Sequence, residues 1–404
     1  MSALDDLVAV PPPPKRETPR PSHPRGWEPG IVWDGTTGSI TTAPLEAEPD
    51  PAVWAELIAD WNLDPTRMEI VDDTIEFRGW DAAIGGGEVR RMRYYKAKLR
   101  RRLARDSDRV DIDALCAQIM RRKPVKPQVG VEDRALVACL SDWQIGKGEG
   151  DGTAGTVDRI LAAADLLRDR VKALKPSVVY VVGMGDVGEG CVGHYPGQTF
   201  NVDLDRREQA RVSRRLITAC VDAVAAAPRV VLSAVPGNHG ENRNAAGKAY
   251  TTITDNDDLA VFENVAEVLA ANPDRYGHVS TVLANDATLT LDCAGIPVAF
   301  RHGHIGGHGT HGAHKIEGWW KGQVLGRQDV ADAQILVSAH YHHFLCSEST
   351  GRTVLQCPAM DPGSSWWRRI TGAESPTGML TFGVGTGYGP RGWGDLALLS
   401  GEGR

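Results

Sequence analysis

From about residue 133 the chain alternates short β-branched runs with longer amphipathic stretches, and that order constrains the fold more than any other feature. The runs Ala135 to Leu140, Val178 to Val182 and Val230 to Ala234 read as strands, and the helical apolar spacing between them spans Val157 to Leu174 and Asp205 to Ala226. Parallel neighbours in a sheet need a long crossover, so strand, helix, strand, helix, strand predicts an α/β fold with a covered parallel sheet. A helix from Leu259 to Ala271 follows. Further strands are expected at Val279 to Leu283, Ala287 to Leu291, Val298 to Arg301, Ile335 to Ser338, Thr353 to Gln356 and Leu380 to Val384.

The strand ends carry the chemistry. The first three run into Ser141-Asp142-Trp143-Gln144, Gly183-Met184-Gly185-Asp186 and Pro236-Gly237-Asn238-His239, and two later ones into Arg301-His302-Gly303-His304 and Ala339-His340-Tyr341-His342-His343. Ligands of open α/β sheets gather beyond the carboxyl ends of the strands, where these groups can converge. One aspartate after a strand is ordinarily a turn former. Carboxylate, amide and imidazole together at five successive strand ends describe a metal site. Eight of the twelve histidines fall between His302 and His343. The seven cysteines are odd in number and never spaced CxxC, which argues against a disulfide framework or a cysteine-built zinc site and fits a reducing cytoplasm. No apolar run approaches the roughly 20 residues of a membrane span, and Asp5 and Asp6 stand where a signal peptide would be basic.

In this order the motifs resemble those of the calcineurin-like metallophosphoesterase superfamily, which run DxH, GD, GNH, H and GHxH; the resemblance covers roughly residues 133 to 390. It implies a four-layer α/β/β/α sandwich holding two divalent cations bridged by an aspartate, with Mn²⁺ expected and Mg²⁺, Fe²⁺ or Zn²⁺ as alternatives. Carried across, Asp142, Gln144 and His342 serve one ion, Asp186 bridges, and Asn238, His302 and His340 serve the other. His239 matches the histidine that contacts phosphate and assists the leaving group. Gln144 replaces the usual histidine, and its amide oxygen favours harder ions. Ala339 replaces a glycine. His194, Arg243 and His304 are candidate substrate contacts. His308, His311 and His314 lie in a glycine-dense stretch that reads as a flexible substrate loop, and Trp319-Trp320 and Trp366-Trp367 as packing residues.

The preceding sequence divides differently. Residues 1 to 49, with Pro11-Pro12-Pro13-Pro14 and further prolines to Pro29, read as a disordered arm. Residues 50 to 128 read as a small α+β module: a helix from Pro51 capped by Asp50, strands Thr74 to Trp80 and Val89 to Leu99, and a helix around Ile112 to Met120. The domain at 129 to 404 completes the chain. Between Arg90 and Lys126, fourteen Lys and Arg face four Asp and Glu, in a chain of net charge −7. Arg93, Lys96, Lys98 and Arg100, interleaved with Tyr94 and Tyr95, suit phosphate neutralisation and base stacking, so DNA is the expected partner. The expected activity is a phosphodiesterase or nuclease acting on DNA, the version of the third motif here resembling bacteriophage members. A small-molecule phosphodiesterase or phosphatase, or a nucleic-acid-binding protein with a weakened centre, are the alternatives. Homo-oligomerisation and protein partners stay open.

Overall fold

The computed structural model describes residues 26–400 apart from 34–36, 46, 62, 64, 66–67, 84–88, 102–106, 192, 196, 245, 307–311, 362 and 364–374. The chain falls into two units, Met1–Arg105 and Asp106–Arg404.

In the first unit, β1 (Gly30–Trp33), β2 (Thr37–Thr41), β3 (Met68–Ala83) and β4 (Val89–Arg101) form an antiparallel sheet in the order β1-β2-β4-β3. Helix α1 (Pro51–Asp60) starts at Asp50, whose carboxylate accepts the Ala52 and Val53 N–H groups at 2.9 Å. Its Trp54 and Ile58 pack with Ile40, Tyr95, Ala97 and Leu99. Two sequence expectations change. Gly30–Trp33 and Thr37–Thr41, read as part of a disordered arm, are paired antiparallel strands, Ile31 opposite Ile40, and Ile40 is buried in this core. Tyr94 and Tyr95, read as stacking platforms, are buried: Tyr95 in the core, and Tyr94 stacked on Trp80 at 4.7 Å.

The second unit holds α2 (Ser107–Met120), β5 (Val131–Leu140), α3 (Gly152–Leu174), β6 (Pro176–Gly183), α4 (Arg206–Val224), β7 (Arg229–Ala234), α5 (Asp257–Ala270) and β8 (Val279–Leu283). It continues with β9 (Thr288–Cys293), β10 (Ile296–Arg301), α6 (Gly312–Leu325), β11 (Ile335–Ser338), β12 (Leu345–Ser349), β13 (Arg352–Gln356), β14 (Met379–Val384) and β15 (Trp393–Leu399). One sheet runs β15-β14-β5-β6-β7-β8 and the other β12-β13-β11-β10-β9. Strands β5 to β8 are parallel, as are β10, β11 and β13, while β14, β15, β9 and β12 add antiparallel edges. The fold is therefore mixed α/β.

Alternation along the strands sets the packing. Leu136, Ala138 and Leu140 of β5 and Val179 and Val181 of β6 join a core with α3, α4 and α5, whereas Ala135, Val137, Cys139, Val178, Tyr180 and Val182 join Val298, Phe300, Ile335, Val337 and Leu355 of the second sheet. The intervening residues Ala299, Leu336 and Val354 pack with Ile316 and Trp320 of α6. Only one face of the first sheet is thus helix-covered; the other meets a second sheet. Helix α2, assigned from sequence to the small module, buries Leu115 and Ile119 in the core of the second unit, and Asn272 Nδ2 donates to the Ile119 and Arg122 carbonyls at 2.7 and 3.0 Å. The unit boundary is accordingly at 105 and not 128.

Phe262 is fully buried, and a Cβ placed on Gly183 would lie 2.4 Å from its ring. Phe262→Ala is expected to lower unfolding free energy by about 3–5 kcal/mol, read by urea denaturation.

Candidate metal centre

The carboxyl ends of β5, β6, β10 and β11 and the turn after β7 bring the strand-end motifs together. Of ten non-glycine residues with positive φ among the described residues, five are Asp142, Gln144, Asp186, His340 and His342. Left-handed backbone is costly for such residues, and its concentration in these motifs marks a site where side-chain direction takes precedence over backbone preference. Gly237 supplies a close approach: a Cβ there would sit 2.2 Å from Asp186 Oδ1.

Asp186, His302 and His340 form a group able to hold a metal ion, their donor atoms all within 4.8 Å of one another. His302 Nε2 lies 2.9 Å from Asp186 Oδ2, 3.0 Å from Asn238 Oδ1 and 3.2 Å from His340 Nδ1. The other nitrogen of His302 donates to the Met184 carbonyl at 2.8 Å, which in the neutral ring leaves Nε2 as a lone pair. Carboxylate oxygen, amide oxygen and imidazole nitrogen converge on a position that one proton on Nε2 or one cation fills, which is the donor chemistry of a cation site, with the carbonyl fixing the histidine as it does for metal-bound imidazoles. The residues fit a divalent ion. Burial opposes charge on both Asp186 and His302, but their mutual attraction prevails, holding the Asp186 carboxyl well below the usual range and raising His302 to about 9. Burial and the neighbouring His302 push His340 down to about 2, so the two imidazoles do not both carry a proton.

The second predicted ligand set is arranged otherwise. Asp142 is fully buried; its Oδ2 accepts the His340 N–H at 3.2 Å and its Oδ1 lies 3.3 Å from His342 Nε2. His342 Nδ1 is 3.5 Å from Asp361 Oδ1. Gln144 directs its amide oxygen away from these groups, to the buried Lys147 ammonium at 3.0 Å, and Lys147 also pairs with Asp361.

His239 is held at both ends. Its Nδ1 donates to the Glu189 carbonyl at 2.7 Å, with Glu189 Oε2 at 3.4 Å, and its Nε2 faces the Gln144 amide nitrogen at 3.4 Å. The backbone N–H of His239 donates to Asp186 Oδ1 at 2.8 Å. His194 stacks on the His239 ring, centroids 4.5 Å apart and 4° from parallel, and burial together with His239 lowers its pKa to about 3. Arg243 is committed to Glu241 and to the Gly247 carbonyl, and His304 lies 3.3 Å from Glu241. His308, His311, Trp366 and Trp367 lie outside the described residues. Residues 312–314, the end of the stretch expected to be a loop, belong to helix α6.

Lys147, Asp361, Glu189 and Asp258 escaped sequence reasoning. The Asp258 carboxylate accepts the backbone N–H groups of Asp186, Val187 and Gly237 at 3.0, 2.9 and 3.0 Å, tying two motif turns to the start of α5. Burial, reinforced by the nearby Asp186 charge, raises its pKa to about 6. Lys147, three residues beyond Gln144, was the visible signal.

Neither the protein-family models nor the curated proteins give a sequence match to this chain. Among solved structures it is similar to vacuolar protein sorting 29 from Cryptosporidium parvum, with 13% identity over 63% of this chain and 86% of that one, at a TM-score of 0.30. A conserved protein of Streptococcus pneumoniae described as a predicted phosphoesterase gives 11% identity, 62% and 83% coverage and a TM-score of 0.27. A putative 5'-nucleotidase from Staphylococcus aureus gives 9%, 67% and 55%, and 0.32. Likenesses at these scores carry no assignment of function.

Replacing Asp258 by alanine strands three buried N–H donors, each worth about 1–3 kcal/mol. Asp258→Ala is expected to destabilise the protein by about 3 kcal/mol or more in urea denaturation, and Asp258→Asn, which keeps one acceptor oxygen, by less.

Proposed function

We propose that this chain is a metal-dependent phosphoester hydrolase of the calcineurin-like metallophosphoesterase type, its second unit a four-layer α/β/β/α sandwich. The observation that carries the reading is the buried convergence of Asp186, Asn238, His302 and His340, with His239 oriented beside it.

Bound to that set, a divalent cation supplies Lewis-acid polarisation of a phosphoryl oxygen and a water of lowered pKa. The chain's own residues supply the rest. With its Nδ1–H given to the Glu189 carbonyl, His239 presents Nε2 as the atom that holds or moves a proton, here toward the departing oxygen. The Asp186 carboxylate fixes the His239 backbone, so ligand and proton-transfer group move together. Stacked on His239, His194 restricts its ring to one plane.

As substrate we propose a phosphodiester of DNA. Lys96, Lys98 and Arg100 alternate with the buried Ala97 and Leu99, and therefore share one face of β4. Acidic residues of β3 stand opposite in register, Glu76 to Lys96 and Glu69 to Arg100, the latter pair at 2.6 Å. That pairing lowers the field the strand presents and favours a small phosphodiester as the second reading.

His239→Ala is expected to cut kcat by about 10²–10⁴ while metal content is unchanged, and Asp186→Asn to lose both. Cleavage of labelled DNA by metal-loaded protein, absent in Asp186→Asn, is the expected result; hydrolysis of a small diester with intact DNA gives the second reading, and turnover of neither substrate contradicts the hydrolase. Neutralising Arg93, Lys96, Lys98 and Arg100 is expected to weaken DNA binding and flatten its dependence on salt, leaving small-diester hydrolysis unchanged.

A further inference from the structure

The two predicted ligand sets differ in one respect: the Asp186 set consists of carboxylate, amide and imidazole donors, while the Gln144 set includes a lysine ammonium. Lys147 Nζ is buried, bonds to Gln144 Oε1 at 3.0 Å and pairs with Asp361 Oδ2. The Gln144 amide is fixed in this orientation from both ends, its oxygen toward the ammonium and its nitrogen toward His239 Nε2 at 3.4 Å. Turning it over would set its N–H groups against the ammonium. The one hard donor atom of Gln144 is therefore spent on a positive charge.

The surrounding groups complete the arrangement. Asp361, 1% exposed, accepts from Lys147 through one oxygen and lies 3.5 Å from His342 Nδ1 through the other; His342 in turn lies 3.3 Å from Asp142 Oδ1. Lys147 and Asp361 match their buried charges without an added ion, and the His342 ring lies between Asp361 and Asp142 with one nitrogen toward each. A divalent cation on Gln144 Oε1 would share that oxygen with a buried ammonium of like charge. At the Asp186 set the donors face imidazole protons, which an incoming ion displaces on binding.

We infer that the Lys147 ammonium occupies the role of the metal ion expected at Asp142, Gln144 and His342, so that this chain binds one divalent cation, at Asp186, Asn238, His302 and His340, in place of the bridged pair implied by the motif resemblance. The inference rests on the metal-dependent reading above and deepens it: charge on the Gln144 side of a bound phosphoester is met by a fixed amine. Lysine is suited to this as a compact point charge on a flexible stem.

Metal counting tests it without reference to turnover. Metal-stripped full-length protein is equilibrated with Mn²⁺, freed of excess ion by gel filtration, and examined by elemental analysis and electron paramagnetic resonance. One Mn²⁺ per chain with an uncoupled six-line spectrum is expected, lost in His302→Ala and kept in Asp142→Asn. Two ions per chain with an exchange-coupled spectrum overturn the lysine's role while leaving the hydrolase reading intact; no bound ion overturns both. Retention of the ion in His302→Ala also overturns the assignment. The double variant Gln144→His, Lys147→Ala is expected to gain a second, coupled Mn²⁺, and a variant that folds with wild-type circular dichroism yet stays at one ion contradicts the claim that the lysine excludes it.

Discussion

The site depends on keeping one carboxylate, Asp186, ionised in an interior that disfavours charge. At 1% exposure it keeps its charge through His302 at 2.9 Å and the His239 backbone N–H at 2.8 Å. A second buried carboxylate, Asp258, lies close enough to have its own pKa raised, yet it is retained because it alone satisfies three N–H donors in the turns after β6 and β7. Two like charges are held near each other so that the backbone carrying Asp186 and Gly237 cannot relax. The interior therefore needs a positive charge beside Asp186, a proton on His302 or a metal ion that displaces it, and Asn238, His302 and His340 surround that position.

The same logic accounts for the strained backbone. Five side chains leave their strands through left-handed residues, a cost of order 1–3 kcal/mol each that only a heavily packed surrounding sustains. That packing comes from the two cores on either side of the first sheet, which enclose β5 and β6 completely from Ala135 to Leu140 and from Val179 to Gly183. Rigid strands deliver flexible chemistry at their ends.

Most of the second unit was legible in its sequence, since fully buried parallel strands read as continuous apolar runs and their crossover helices as 3.6-residue periodicity. The edge strand β12 was not, because Leu345–Ser349 lacks such a run, and neither was β15, where Gly394 and Asp395 interrupt the apolar residues before Leu396 to Leu399. The paired strands Gly30–Trp33 and Thr37–Thr41 were hidden by the prolines before them. Composition also misled at Tyr94 and Tyr95: a basic strand with interleaved tyrosines looks alike whether the rings face solvent or a core. At the site, the strand-end groups were readable as motifs, but the ion pair that redefines Gln144 joins residues 214 positions apart, a pairing no local pattern encodes.

The most direct measurement is anomalous diffraction from crystals of the protein soaked in Mn²⁺. A single peak bounded by Asp186, Asn238, His302 and His340, with the Gln144 oxygen still on Lys147, is the predicted result. A map with no peak among those four residues, or with the ion seated on Gln144 and the lysine displaced, would contradict it.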